Sequence, residues 1–249
     1  MEVILDRTEE TSISIDGDFE KNSYSKNLKK SFFQALAMNT KLSDEIKFMP
    51  GMSGKKYRYF INNFVSLTDN PRYLEIGSWT GSTVCSALYG NVAKAVCIDN
   101  WITFPEEKQV RKFFNTENQK ETFEINTKKV ITEKIDFQFI ESDFRKINFN
   151  ELGKFNIYCY DALHDSRSQY EGISFAQPAL DDIFILIVDD WNLVPVRKGT
   201  FNALDDLNIS IVSKIVIKTT QDNTMPKLFH SHYSDWHNGY FIAVCKKSK

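Results

Sequence analysis

Residues 73–88, YLEIGSWTGSTVCSAL, run from an apolar segment into Gly77, through a short turn with a second glycine at Gly81, and into a helix-spaced stretch rich in hydroxyls. The spacing predicts a strand, a tight turn and a helix starting at Thr80 or Gly81. Glycine at both turn positions lets the backbone approach a ligand that a Cβ would hold off. The first amides of the helix and the hydroxyls of Ser78, Thr80, Ser82 and Thr83 supply donors there. A second apolar run, AVCI (95–98), delivers Asp99, 18 residues beyond Gly81, followed by Asn100 and Trp101. A carboxylate at that strand tip is placed to accept both hydroxyls of a ribose. A third run, FQFI (137–140), leads to Ser142 and Asp143 at the edge of the same crevice.

Working outward, FNIYCY (155–160) and IFILIV (183–188) continue the alternation of apolar runs with helix-spaced segments over 80–89, 106–131, 166–179 and 196–207. Strands of near-continuous apolarity, separated by helices, indicate an α/β chain with a parallel sheet covered on both faces. Two further β-rich runs, 209–219 and 239–246, have no helix between them and predict an antiparallel pair closing one edge. The expectation is a doubly wound, mostly parallel sheet of seven strands with a C-terminal antiparallel hairpin. Residues 1–25 are polar and patternless, while 27–38 and 54–67 have helical spacing around the loop MPGMSG (49–54). The chain is therefore divided into an arm and helical cap over 1–69, a candidate surface for homo-oligomers, and a main domain over 70–249.

Composition narrows the function classes. With 31 Lys plus Arg against 33 Asp plus Glu, the formal charge is -2, which gives no reason to expect a nucleic-acid partner. The four cysteines are too scattered for a metal knuckle or a redox pair, and read as buried thiols in a reducing compartment. The start of the chain lacks the basic and apolar segments of a secretory signal, and Ile183–Val188 is far too short to span a bilayer. A soluble, cytoplasmic protein with no membrane partner is expected.

The glycine turn resembles that of the class I S-adenosylmethionine-dependent methyltransferases, whose motif runs acid-x-Gly-x-Gly-x-Gly after the first strand. Glu75, Gly77 and Gly81 match three of its four positions, and Trp79 stands at the middle glycine. The resemblance covers about residues 70–246. It implies a Rossmann-like methyltransferase fold in which the turn holds the amino-acid part of S-adenosylmethionine, Asp99 its ribose and Asp143 its adenine. Trp101 reads either as a ring packing on the adenine or as a core tryptophan. A dinucleotide site fits less well, because the third glycine of GxGxxG is missing and Glu75 precedes the turn.

The fourth and fifth strands deliver YDALHDSRSQY (160–170) and IVDDWN (187–192). As neighbours ending on the ligand side, they would bring Asp161, Asp189 and Asp190 together. Three such carboxylates repel unless a hard divalent cation, Mg²⁺ first among Mg²⁺, Mn²⁺ and Ca²⁺, sits between them. The competing reading has Asp189 capping the next turn and Asp190 facing water. This part is similar to the metal-dependent O-methyltransferases of small molecules and sugars, which implies Asp161, Asp189 and Asp190 as ligands. In the catechol type, a lysine three residues beyond the first ligand is the general base; His164 holds that place here and suits proton transfer near neutrality.

The loop FHSHYSDWHNG (229–239) overhangs the same pocket, making His232, Trp236 and His237 candidate substrate contacts, with His230, Tyr233 and Asp235 beside them. Its histidines lack an assured zinc geometry. Arg197 and Lys198 are either anion binders or solvated helix charges. The expected reaction is methylation of a hydroxyl on a small molecule or glycan. Two rivals stand beside it, namely a metal-independent methyltransferase acting on nitrogen or another nucleophile, and a non-catalytic cofactor-binding subunit.

Overall fold

The computed structural model describes residues 11–102, 118–226 and 233–248. Eight strands among them form one sheet: β1 (Ser12–Gly17), β2 (Arg72–Ile76), β3 (Ala93–Asp99), β4 (Ile135–Glu141), β5 (Phe155–Tyr160), β6 (Leu180–Val188), β7 (Ile209–Lys218) and β8 (Tyr240–Lys247). Their order is β1-β7-β8-β6-β5-β2-β3-β4. Strands β4, β3, β2, β5 and β6 are mutually parallel, β8 lies antiparallel between β6 and β7, and β1 lies antiparallel on the outside of β7.

Strand periodicity sorts the core into two layers. Tyr73, Cys97, Ile157, Cys159, Ile185 and Ile242 face one side of the sheet. There they meet α1 (Ser23–Leu36), α3 (Lys55–Leu67), α4 (Ser82–Leu88) and α5 (Gln119–Lys128) through Phe32, Phe60, Phe64, Val84, Leu88 and Phe123. Leu74, Val96, Tyr158, Leu186 and Phe241 face the other side, against α6 (Ser166–Ala176) and α7 (Val194–Asp206). A short α2 (Asp44–Lys47) completes the N-terminal helices, which share the first core with the sheet. Asn22 caps α1 by accepting the Ser25 N–H at 2.9 Å. All four cysteines are free and buried. No described helix is long and apolar enough to cross a membrane.

Two expectations are corrected. The sheet has eight strands rather than seven, because residues 12–17 of the arm pair with β7 in register Ser12↔Lys218 to Gly17↔Ser213. All six β1 residues are exposed, so backbone pairing rather than burial holds the strand, and its only sequence signal is the short alternation Ser12-Ile13-Ser14-Ile15-Asp16. The terminal pair also does not close an edge by itself, since β8 is inserted beside β6 and β1 forms the edge. Of the helix expected over 106–131, Gln119–Lys128 is described, while 103–117 lies outside the described residues.

Strand order reverses at β2, which has β3 on one side and β5 on the other. A crevice opens beyond the carboxyl ends of such strands; Asp99 is the last residue of β3, and Asp143, Asp161, Asp189 and Asp190 follow β4, β5 and β6.

Candidate cofactor and metal site

After β2 the chain turns through Gly77 (φ 89°), Trp79 (φ 45°) and Gly81 (φ 85°) into α4. Trp79 thus adopts the left-handed conformation that the middle glycine of such a turn takes without strain. Its N–H donates to Asp99 Oδ2 at 2.8 Å, and the Trp101 N–H donates to Asp99 Oδ1 at 2.8 Å. Asp99 therefore braces two turns at once. Burial raises its pKa, while these backbone bonds oppose the rise. A carboxylate offers about four acceptor positions, so both oxygens keep capacity for a ligand hydroxyl.

Packing also requires the two glycines. A Cβ on Gly77 would stand 1.9 Å from the Asp161 carbonyl oxygen, so the missing side chain admits the tip of β5. A Cβ on Gly81 would meet the Phe123 ring at 3.0 Å. Gly77→Ala is expected to destabilise the protein by about 3 kcal/mol, combining overpacking with an unfavourable φ. Gly81→Ala should do less, because a ring can yield where a backbone cannot. Urea denaturation of both variants checks the order.

Gly77, Ser78, Ser82, Asp99 and Asn100 line one cavity with Ser142 and Asp143, and its lining continues to Asp161, His164, Asp190 and His237. Asp143 also caps the following turn, accepting the Arg145 N–H at 3.0 Å. Glu75 is fully buried beneath the turn, where Tyr73 Oη donates to its Oε2. Burial pushes the Glu75 carboxyl up to about 7 against that hydrogen bond. Ser78 lies near enough to favour the ionised form, yet Glu75 Oε1 and Ser78 Oγ complete no hydrogen bond of good geometry. Two buried polar atoms without protein partners beside a strained turn fit a ligand carrying both a cation and acceptors.

Three expected contacts fall elsewhere. Thr80 is buried, its Oγ1 donating to the Pro50 carbonyl at 3.3 Å, and so ties down the 49–54 loop. Trp101 stacks on Phe139 with ring centroids 5.3 Å apart and packs against Phe123, which makes it a core tryptophan. Trp236 is 2% exposed and stacks on Phe32, so it anchors its loop rather than facing the cavity. His237 does line the cavity, while His232 and His230 lie outside the described residues. Asp235 pairs with Lys56 at 2.7 Å. Arg197 Nη1 donates to the Trp191 and Asn192 carbonyls at 2.8 and 2.6 Å, so it clamps the loop after β6.

At the acidic end, the group able to share a cation among the described residues is Asp161, His164 and Asp190, whose ligand atoms all lie within 4.8 Å of one another. His164 Nε2 is 2.5 Å from Asp190 Oδ2. Asp189 stands outside this trio, and its Oδ1 accepts the Asp190 N–H at 2.7 Å. Asp161 and Asp190 converge with His164, Asp189 lies beside that trio, and His164, expected as a free base, pairs with Asp190. Asp190 has φ 56°, a left-handed backbone at the turn after β6. Burial and then Asp190 raise Asp161 to about 8, and burial and then Asp161 raise Asp189. Burial would raise Asp190, but His164, together with His237 and Asn238, holds it below the usual carboxylate range. A mixed set of two carboxylates and an imidazole within this span offers donors to a divalent cation, the carboxylates suiting Mg²⁺ or Mn²⁺ and the imidazole a softer ion.

Sequence reading missed the roof of the cavity. Arg58 is fully buried and donates to the carbonyls of Lys47, Met49 and Gly51 at 2.9, 2.7 and 3.2 Å. It folds the 49–54 loop over the turn, where Met52 lines the cavity and Ser53 Oγ is hydrogen-bonded to Ser82 Oγ at 3.1 Å. Neither the charge nor the position of Arg58 in the sequence distinguishes it from a surface arginine.

Strand order, glycine turn and acidic strand tips together define the class I methyltransferase fold. A candidate RNA methyltransferase of Pyrococcus horikoshii is similar over 89% of this chain and 98% of its own, with TM-score 0.50 and 11% identity. The O-methyltransferase of Bacillus cereus, solved with S-adenosylhomocysteine, aligns over 89% and 91% with TM-score 0.47 and 13% identity. TrmN of Thermus thermophilus aligns over 77% of this chain at TM-score 0.45 and 10% identity, and this chain spans 48% of TrmN's length. No family model and no curated protein matches the sequence.

Proposed function

We propose that this protein is an S-adenosylmethionine-dependent methyltransferase that methylates a hydroxyl of a small molecule or sugar with the help of a divalent cation. The observation that carries the reading is a single cavity with the glycine turn and Asp99 at one end and the Asp161, His164 and Asp190 trio at the other. Ser78, Asp99 and Asp143 would hold the cofactor, and Glu75 would place a carboxylate beneath its cationic part. Asp161, His164 and Asp190 would hold the cation, which when bound would supply Lewis acidity that lowers the pKa of the acceptor hydroxyl. Asp161 and His164, both in the cavity wall, would be the candidates to take the hydroxyl proton. The cavity walls hold donor and acceptor in line for displacement at the methyl carbon. A net charge of -2 supports a small acceptor over a nucleic acid.

Calorimetry with S-adenosylhomocysteine, followed by turnover on a panel of vicinal diols and catechols with and without chelator, tests the reading. The expected result is cofactor binding without metal, and methyl transfer that chelation stops and Mg²⁺ or Mn²⁺ restores. Chelator-resistant transfer would point to the metal-independent class. Binding with no turnover on any acceptor pool would point to a non-catalytic cofactor-binding subunit.

A further inference from the structure

We propose that Asn238, itself fixed by Asn192 and Thr219, is the positioning residue that aims Asp190 at the cation; this rests on the metal-assisted reading above. Asn238 and Asn192 are both fully buried. Asn238 Nδ2 donates to Asp190 Oδ1 at 2.5 Å, and Asn238 Oδ1 accepts from Asn192 Nδ2 at 2.9 Å. Asn192 Nδ2 also donates to Thr219 Oγ1 at 2.8 Å, and Asn192 Oδ1 accepts the Thr219 N–H at 2.9 Å.

The polarity of this chain is determined at its far end. A backbone N–H can only donate, so the Thr219 amide fixes which end of the Asn192 carboxamide is oxygen. Asn192 must then present its NH₂ to Asn238, whose own NH₂ is left facing Asp190. Thr219 Oγ1 is free to accept because its proton goes to the His237 carbonyl at 2.9 Å. Two backbone bonds lock the segments together: Asn192 N–H to the Asn238 carbonyl at 3.1 Å, and Trp191 N–H to the Gly239 carbonyl at 3.2 Å. Gly239 (φ 82°) allows this approach, since a Cβ there would lie 2.5 Å from the Ile217 carbonyl oxygen.

The consequence falls on one torsion. An aspartate carboxylate rotates readily about its last bond. With Oδ1 occupied by a donor that cannot turn, Oδ2 becomes the oxygen presented to His164 and the cavity. Asn238 thereby does for Asp190 what an outer-shell partner does for a metal ligand, holding it in a binding orientation before the ion arrives.

Electron paramagnetic resonance titration with Mn²⁺ alone, with S-adenosylhomocysteine affinity measured in parallel, tests this on the full chain. Asn238→Ala should weaken Mn²⁺ binding by about 10- to 100-fold while changing S-adenosylhomocysteine affinity by less than about twofold. Asn192→Ala should weaken Mn²⁺ less, and the double variant should be no worse than Asn238→Ala, because Asn192 acts through Asn238. Should Asn238→Ala lose its fold, as read by lost S-adenosylhomocysteine binding, Asn238→Ser carries the same test. Wild-type Mn²⁺ affinity in the folded variants, or fully additive effects of the two substitutions, overturns the proposal. A wild-type protein that binds S-adenosylhomocysteine but no Mn²⁺ instead removes the cation reading, and the proposal with it.

Discussion

Asp190→Asn should lower kcat/KM by about a thousandfold at fixed metal concentration, equivalent to about 4 kcal/mol of lost transition-state stabilisation. The substitution isolates charge from structure. Asn can still accept the Asn238 hydrogen bond, and it tolerates the left-handed φ of 56° at least as well as Asp. The melting temperature is therefore expected to hold. Removing one of the three groups that converge within 4.8 Å should also weaken Mn²⁺ markedly, while S-adenosylhomocysteine affinity stays near that of the wild type. Steady-state kinetics at several Mg²⁺ concentrations distinguishes weakened metal binding, which excess metal offsets, from a lost chemical role, which it does not. Unchanged kcat/KM would leave the acidic end of the cavity without a part in the reaction.

Glu75→Gln should stabilise the protein and weaken its hold on the cofactor. Folding raises the Glu75 carboxyl from 4.5 to about 7, because burial disfavours its charge. The folded state thus binds this proton more tightly than the unfolded chain. Stability from this group is fully present below pH 4.5 and is lost as pH rises through about 7. At pH 8 the loss approaches about 3 kcal/mol, and a neutral glutamine avoids it. Tyr73 can still donate to the glutamine oxygen, so the existing hydrogen bond survives. Melting curves of wild type and variant should coincide below about pH 4.5, separate as pH rises toward 7 and stay apart above it. Cofactor affinity should fall about tenfold or more, since a buried charged acceptor is removed. Such an opposition of stability and binding is expected where a chain keeps a buried carboxylate for its ligand. A variant that binds S-adenosylhomocysteine like the wild type would assign Glu75 to the core.

The residues legible from sequence were those whose position follows from strand ends. Asp99 ends β3, and Gly77, Asp143, Asp161 and Asp190 each follow a parallel strand by at most two residues, so fixing the strands brings them to one mouth. Residues whose side chain must select between cavity and core were not decided that way. Trp101 and Trp236 are adjacent to cavity-lining residues, yet each ring turns into an aromatic cluster where it buries far more apolar area. That His164 rather than Asp189 converges with Asp161 and Asp190 is likewise a matter of tertiary placement, to which hydropathy is blind.

Sequence periodicity alone determined a parallel α/β sheet with acids at its carboxyl edge, because a strand buried on both faces must be continuously apolar and must end where polarity resumes. Tertiary structure alone decided what is held by pairing across distance. The edge strand Ser12–Gly17 exists through its ladder to β7, the Arg58 roof through carbonyls gathered from 47–53, and the aim of Asp190 through an amide 48 residues away. Hydrogen bonds between distant segments leave no local pattern of hydropathy, and only the folded chain brings their partners within reach.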